Sequence, residues 1–205
     1  MVKILIGLIN EHLKNREPKK SNPRSYFYIS EAGLTPFEIY GKMRYRQKLL
    51  PRTKRLMEIG NATHRRVYRC LKEMGLLIMS EVGLGNDLFH GFADAIIKMD
   101  DEEMPLEIKT VNREEFDYLS KKKMPTWQSY IQLQLYLHYL NKDKGKILFI
   151  EANTLEDYIL PLEEYRPEQR MIEFTIKKNP GIIEKTLEKF GMLKEAFIED
   201  GMMIR

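Results

Sequence analysis

Apolar residues recur along this chain first with the period of a helix and then with that of a strand, and the switch between the two predicts its architecture. From about Thr53 to Gly75, Leu56, Gly60, Val67, Leu71 and Met74 fall on one inward helical face. Strands follow near 76–82, 88–98 and 105–111, the last two joined by the acidic turn DDEEM as an antiparallel hairpin. Glu114 to Lys123 reads as a helix or loop, TWQSYIQLQLYLHYLN as a helix with a broad apolar face, and KILFIEA as a further strand. Helix, three strands, helix, strand is the order of a mixed α/β fold with a central sheet flanked by helices. Outside that core the pattern predicts an opening helix over about 2–15, the polar linker REPKKSNPRS and a helix capped by Ser30. A hairpin strand, DYILPL, and one or two helices from about Pro167 to Asp200 complete it. The expected organisation is a basic helical extension at 1–52, a core at 53–165 and C-terminal helices at 166–205, packed as one compact domain.

Within these elements, polar residues stand where apolar ones belong: Asp94 in GFADAII, Glu107 and Lys109 in PLEIKTV, and His64 in GNATHRR. A strand sends alternate side chains to opposite faces, so Glu107 and Lys109 share one face while Leu106 and Ile108 share the other. The hairpin brings Asp94 close to Glu107, so that two carboxylates and an ammonium converge. An isolated Glu-x-Lys is ordinarily a surface salt bridge. Asp94 speaks against that here, because it interrupts an apolar run where an unpaired carboxylate is costly. His64 lies on or beside the buried stripe of its helix, four residues after Gly60 and three before Val67. On the later helix, Gln132 and Gln128 project into the apolar arc and Tyr136 follows Gln132 by four, whereas Gln134 and His138 project to the polar side. Carboxylates beside an ammonium suit phosphodiester hydrolysis: magnesium or manganese prefers such oxygen ligands and lowers the pKa of bound water, while Lys109 orients that water or balances charge.

Charge sharpens this picture. Residues 1–72 hold 17 Lys and Arg against 5 Asp and Glu, a net of +12, and the remaining residues carry a net of −8. Arg44, Arg46, Arg55 and Arg65 belong to the basic part, which leads into the helix carrying His64 and reads as a track for a phosphate backbone. Tyr26, Phe27, Tyr28, Tyr40 and Tyr45 are interspersed there, more of them as core than as a platform for unpaired bases. Lys121, Lys122 and Lys123 form a solvated run before the glutamine helix, and with Trp127 near the helix start they are candidate contacts to a nucleic-acid strand. One cysteine, Cys70, excludes an internal disulfide. The apolar start VKILIGLI lacks a cleavage site and no run is long enough to span a membrane, so the expected setting is cytoplasmic, in a cell or a virus-infected host.

In order and spacing, His64, Asp94, Glu107, Lys109, Gln132 and Tyr136 resemble the pattern of the PD-(D/E)XK nucleases, in their RecB-like and CRISPR-associated type-four branch. The resemblance covers about residues 55–150. It implies a restriction-endonuclease-like αβββαβ core, with magnesium or manganese bound by His64, Asp94, Glu107 and the carbonyl of Ile108. It also implies that Lys109 assists the attacking water and that Gln132 and Tyr136 contact DNA or brace the catalytic group. Many relatives carry four cysteines that hold an iron-sulfur cluster; here Thr35, in ISEAGLTPFEIYGKMR, stands where the first would be, and no such cluster can form. The expectation is a cluster-free, metal-dependent deoxyribonuclease acting on single-stranded DNA or free ends, more as an exonuclease or flap-type nuclease than an endonuclease. The alternatives are a junction resolvase-like endonuclease of the same superfamily and a non-catalytic DNA-binding subunit.

Overall fold

The computed structural model describes residues 25–44, 50–152, 170–201 and 203. The predicted opening helix, the linker, Tyr45, Arg46 and the DYILPL strand lie outside the described residues, as does the side chain of Arg44. The elements are β1 (Phe27–Tyr28), a 3-10 turn (Ile29–Glu31), α1 (Pro36–Arg44), α2 (Pro51–Glu73), β2 (Leu77–Gly85), β3 (Phe89–Met99) and β4 (Glu102–Val111). Then come α3 (Arg113–Lys122), α4 (Trp127–Tyr139), β5 (Lys144–Glu151), β6 (Met171–Lys177) and α5 (Pro180–Glu199). One mixed sheet runs β1-β3-β4-β5-β6, with β2 paired to β3. β2, β3 and β4 are antiparallel neighbours, β4 and β5 are parallel, and β6 returns antiparallel to β5.

Local chemistry explains the element boundaries. Pro51 opens α2, where its missing N–H costs nothing, and Gly75 closes it with a left-handed φ of 70°. Asn112 caps α3 by accepting from the Glu115 amide at 2.9 Å, and Lys121 and Lys122 sit in its last turn, where cations suit the helix dipole. The lysine run is therefore a helix end rather than a loop. Ser30 lies in the 3-10 turn, and α1 is capped instead by Thr35, whose hydroxyl accepts from the Glu38 amide while the Glu38 carboxylate accepts from the Thr35 amide. That reciprocal pair is a capping box.

α2 covers one face of the sheet, where Val67, Tyr68 and Leu71 pack on Ala95, Ile97, Leu106 and Ile108. α4 and α5 belong to the cluster on the other face, with Phe27, Phe89, Leu133 and Phe190. The alternation read in β4 therefore holds: Leu106 and Ile108 point to α2, and Glu107 and Lys109 to α4. On α2 the buried positions are Ile59, Ala62 and Thr63, whereas Leu56 and Met74 are 55% and 66% exposed. Leu56 precedes the first buried position and Met74 is already the C-cap, so periodicity there marks no burial. A Cβ at Gly60 would meet nothing within 4 Å, so that glycine makes no room for a neighbour.

Residues 171–177 form a strand, not a helix. Their alternation of exposed Met171, Glu173, Thr175 and Lys177 with Ile172, Phe174 and Ile176 is the period of a sheet edge. Gln134, placed on the polar side of α4, is fully buried: it accepts from the Asn179 amide at 2.7 Å and donates to the Lys177 carbonyl at 2.8 Å. It ties the end of β6 to the start of α5. Gln128, placed in the buried arc, is exposed and donates to the Ser30 carbonyl at 2.8 Å. Gly33 lies against it so closely that a Cβ there would stand 2.5 Å from the Gln128 Cα. Gln134→Ala removes two part-buried hydrogen bonds to the main chain and, at roughly 1 kcal/mol each, is expected to cost about 2 kcal/mol, read as a lower urea midpoint at unchanged slope.

Candidate active site

The site is built where β3 and β4 part. Their ladder runs from Met99↔Glu102 to Ala95↔Leu106, and at the next step a side chain takes over: Asp94 Oδ2 accepts from the Ile108 amide at 2.6 Å. The N–H and C=O of one strand residue leave on the same side, so the Ile108 carbonyl also faces this opening. β3 itself turns there, since Ala93 belongs to the cluster under α4 and Ala95 to the cluster under α2, although residues two apart normally share a face. Through the opening His64 on α2 reaches Asp94, with Nδ1 at 3.6 Å from Oδ1.

On the α4 side, the polar side chains form a connected line. Lys109 Nζ can only donate, and it meets Glu107 Oε1 at 2.5 Å and Gln132 Oε1 at 3.1 Å. With its amide oxygen so committed, Gln132 turns its Nε2 to the Tyr136 hydroxyl at 2.6 Å, and Tyr136 donates in turn to the Phe92 carbonyl at 2.7 Å. This line anchors the ammonium to the main chain of β3 at a point where the carbonyl has no strand partner in the β4 ladder. Gln132 and Tyr136 lie on the ridge predicted for them and are buried.

Burial dominates the electrostatics. Glu107 is 1% exposed, and loss of water pushes its carboxyl up to about 7 despite the adjacent Lys109 ammonium, with Asp94 adding repulsion. Burial likewise raises Asp94 to about 6, against the opposing pull of the Ile108 amide and Lys109. His64 is shifted down, first by burial, and the Ile108 backbone favours its charged form, as a nearby carbonyl would. Glu107 Oε2 is buried with no hydrogen-bond partner. Such an atom is expensive unless something electropositive meets it. Among the described residues no three His, Cys, Asp or Glu side chains stand ready-made as a metal cage. Instead, Asp94 Oδ1, Glu107 Oε2 and the Ile108 carbonyl are the hard oxygen donors around this opening, with His64 beside them. A small divalent cation fits that donor set.

Compared with solved structures, the chain is similar to a protein called SSO0001 at 18% identity and a TM-score of 0.60, over 94% of this chain and 88% of that one. It is similar to an alkaline exonuclease from Laribacter hongkongensis at 13% identity and a TM-score of 0.54, over 86% and 91%. That exonuclease has also been solved in complex with dAMP, and this form matches with a TM-score of 0.52 at 16% identity over 84% and 89%. A phage-related exonuclease from Haemophilus somnus matches with a TM-score of 0.50 at 13% identity, over 84% and 81%. The fold is shared with exonucleases. The restriction-endonuclease-like core that the resemblance implies is thus the fold of this chain. No family model and no curated protein matches the sequence.

The other candidates are dispersed. Arg65 is exposed on α2 and Arg55 half-buried on the same helix, while Lys121 and Lys122 end α3. Trp127 is exposed at the first turn of α4 and stacks on Tyr130 at 5.8 Å. Of the basic-segment aromatics, Phe27 is core and Tyr26 stacks on His90 at 4.0 Å. One neighbour of the site that escaped the sequence reading is aromatic. Tyr68, one turn after His64, sets its ring edge-on to it at 6.1 Å; its phenol is raised by burial and by the charges of Asp94, Glu81 and Glu107. The i, i+4 spacing to His64 was the available signal. Tyr68 also borders an open groove of about 920 Å³, lined further by Arg69, Lys72, Ile78 and Met79. Among the described residues no helix is long and apolar enough to cross a membrane.

Proposed function

We propose that the chain is a divalent-cation-dependent DNA nuclease that hydrolyses phosphodiester bonds, acting on single strands or free ends as an exonuclease or flap-type enzyme. The observation that carries this reading is the buried, unpartnered Glu107 Oε2 beside Asp94, with the Lys109 ammonium fixed against the same carboxylate. His64, Asp94, Glu107 and the Ile108 carbonyl would hold magnesium or manganese. When bound, the cation supplies a lowered water pKa and neutralises charge on the phosphate. Lys109 stabilises charge at the attacked phosphate and orients the attacking water through its third N–H. Gln132 and Tyr136 keep that ammonium in place. The shared fold of the two exonucleases and the dAMP found with one of them support DNA as substrate and ends as the point of attack. Arg55, Arg65, Lys121, Lys122 and Trp127, with the groove past Tyr68, Arg69 and Lys72, offer phosphate and stacking contacts; Arg44 and Arg46, in the same basic stretch of sequence, would add to them.

The test is incubation with end-labelled single-stranded, duplex, flapped and circular DNA in magnesium, manganese or chelator. Linear single strands and flaps should lose label in either metal while circles stay intact and chelator stops the reaction. Absence of cleavage of every substrate in both metals would replace this reading with a DNA-binding subunit that kept the fold.

A further inference from the structure

β2 carries a departure from regular strand geometry directly beside the site. Ser80 pairs with Ala95 and Val82 with Ala93, which leaves Glu81 across from Asp94. Residues so opposed have Cβ atoms roughly 5 Å apart. Glu81 sits there with φ of 53°, a left-handed conformation that side chains rarely adopt, in the middle of a strand. The distortion matches the turn of β3 between Ala93 and Ala95, so both strands are bent at the same level.

The negative charge of Glu81 reaches His64, Tyr68 and Asp94. Glu107 acts on the same three groups from β4, and its Oε2 is the buried oxygen that lacks a partner. Carboxylates thus surround this point from β2, β3 and β4. Like charges held together without a cation between them repel, and a strained backbone at one of them adds to the cost. Glu81 is the solvent-exposed member of this group, so its side chain is free to turn toward a cation when one binds.

We propose that Glu81 is a further ligating residue of the divalent-cation site, closing it on the β2 side opposite Glu107, directly or through a bound water. The inference rests on the metal-dependent reading given above. It identifies the left-handed backbone of β2 as the device that presents this carboxylate to the site.

Manganese binding by calorimetry, together with the manganese-induced shift in melting temperature, tests the idea on the full chain. Glu81→Gln keeps the backbone and removes the charge, and it should weaken manganese binding by about tenfold or more, as loss of a supporting ligand does. Glu81→Gly should weaken binding as much while raising the melting temperature of the metal-free protein, because glycine adopts a φ of 53° without strain. If the wild type binds manganese and both variants bind it equally well, the role of Glu81 is overturned and the metal reading stands. If the wild type binds no manganese, the metal reading fails and this inference falls with it.

Discussion

Glu107→Gln is expected to make the metal-free protein more stable at pH 8 while eliminating cleavage. Glu107 is buried, and its carboxyl is raised from an ordinary 4.5 to about 7, chiefly by loss of water. A group whose folded pKa lies above its unfolded pKa contributes stability below the unfolded value and loses it as pH rises through the folded one. The metal-free wild type should therefore weaken between about pH 4.5 and pH 7, and Asp94, raised from 3.8 to about 6, acts in the same direction over a slightly lower window. Glutamine carries no charge to bury, keeps an oxygen for Lys109 Nζ and relieves Asp94 of a like neighbour. The gain at pH 8 is on the order of 2 kcal/mol. Urea denaturation from pH 4 to 8 in chelator measures it: a wild-type slope that the variant largely lacks. Manganese should restore the wild type at pH 8 and do little for the variant. Equal pH dependence in the two proteins would show that Glu107 is not the source of the strain. Stability lost for a functional carboxylate is a common exchange at active sites.

The same burial explains why the site could be read from the chain at all. A carboxylate between Ala93 and Ala95 and an acid-x-lysine inside a strand are conspicuous because charges in apolar strands are rare without a reason. Strand alternation then turned Glu107 and Lys109 toward α4 and helical projection put Gln132 and Tyr136 on its inward ridge, and the structure agrees for all four. Glu81 escaped for a different reason. It stands in LIMSEVGLG beside Ser80, and only the register of β2 on β3 puts it opposite Asp94. Gln134 was misplaced because α4 is buried nearly all round, so an amide on its nominally polar side is still covered, here by β6 and α5. β6 itself was legible in the alternation of MIEFTIK; it was passed over because a helical pattern follows at once in α5. Thr35 was noticed for the cysteine it replaces, whereas its capping role was written in the Thr-x-x-Glu spacing to Glu38. For Glu81 and Gln134 the local signal failed because two elements had to be aligned first, whereas β6 and the Thr35 cap were written within one element.

Lys109→Ala should reduce cleavage by at least about 10²-fold to 10³-fold, the scale on which one preorganised charge or proton donor acts in a transition state. Its ammonium is fixed by Glu107 Oε1 and Gln132 Oε1, which leaves its remaining N–H free for a substrate oxygen or the attacking water. DNA affinity should change little, because a single lysine in the cleft is a small part of the phosphate contacts. Gln132→Ala separates position from chemistry. It removes the link from Lys109 to Tyr136 and onward to the Phe92 carbonyl but leaves the ammonium present and paired with Glu107, so the loss should be nearer tenfold and fall on kcat rather than KM. A Gln132→Glu variant keeps an acceptor for the ammonium and should recover part of that loss. Single-turnover cleavage of a labelled strand, with binding measured separately in chelator, distinguishes the three. Wild-type turnover by Lys109→Ala would remove Lys109 from the reaction. A loss in Gln132→Ala as deep as that in Lys109→Ala would instead make the amide, and not only the ammonium, a direct contact of the reacting phosphate.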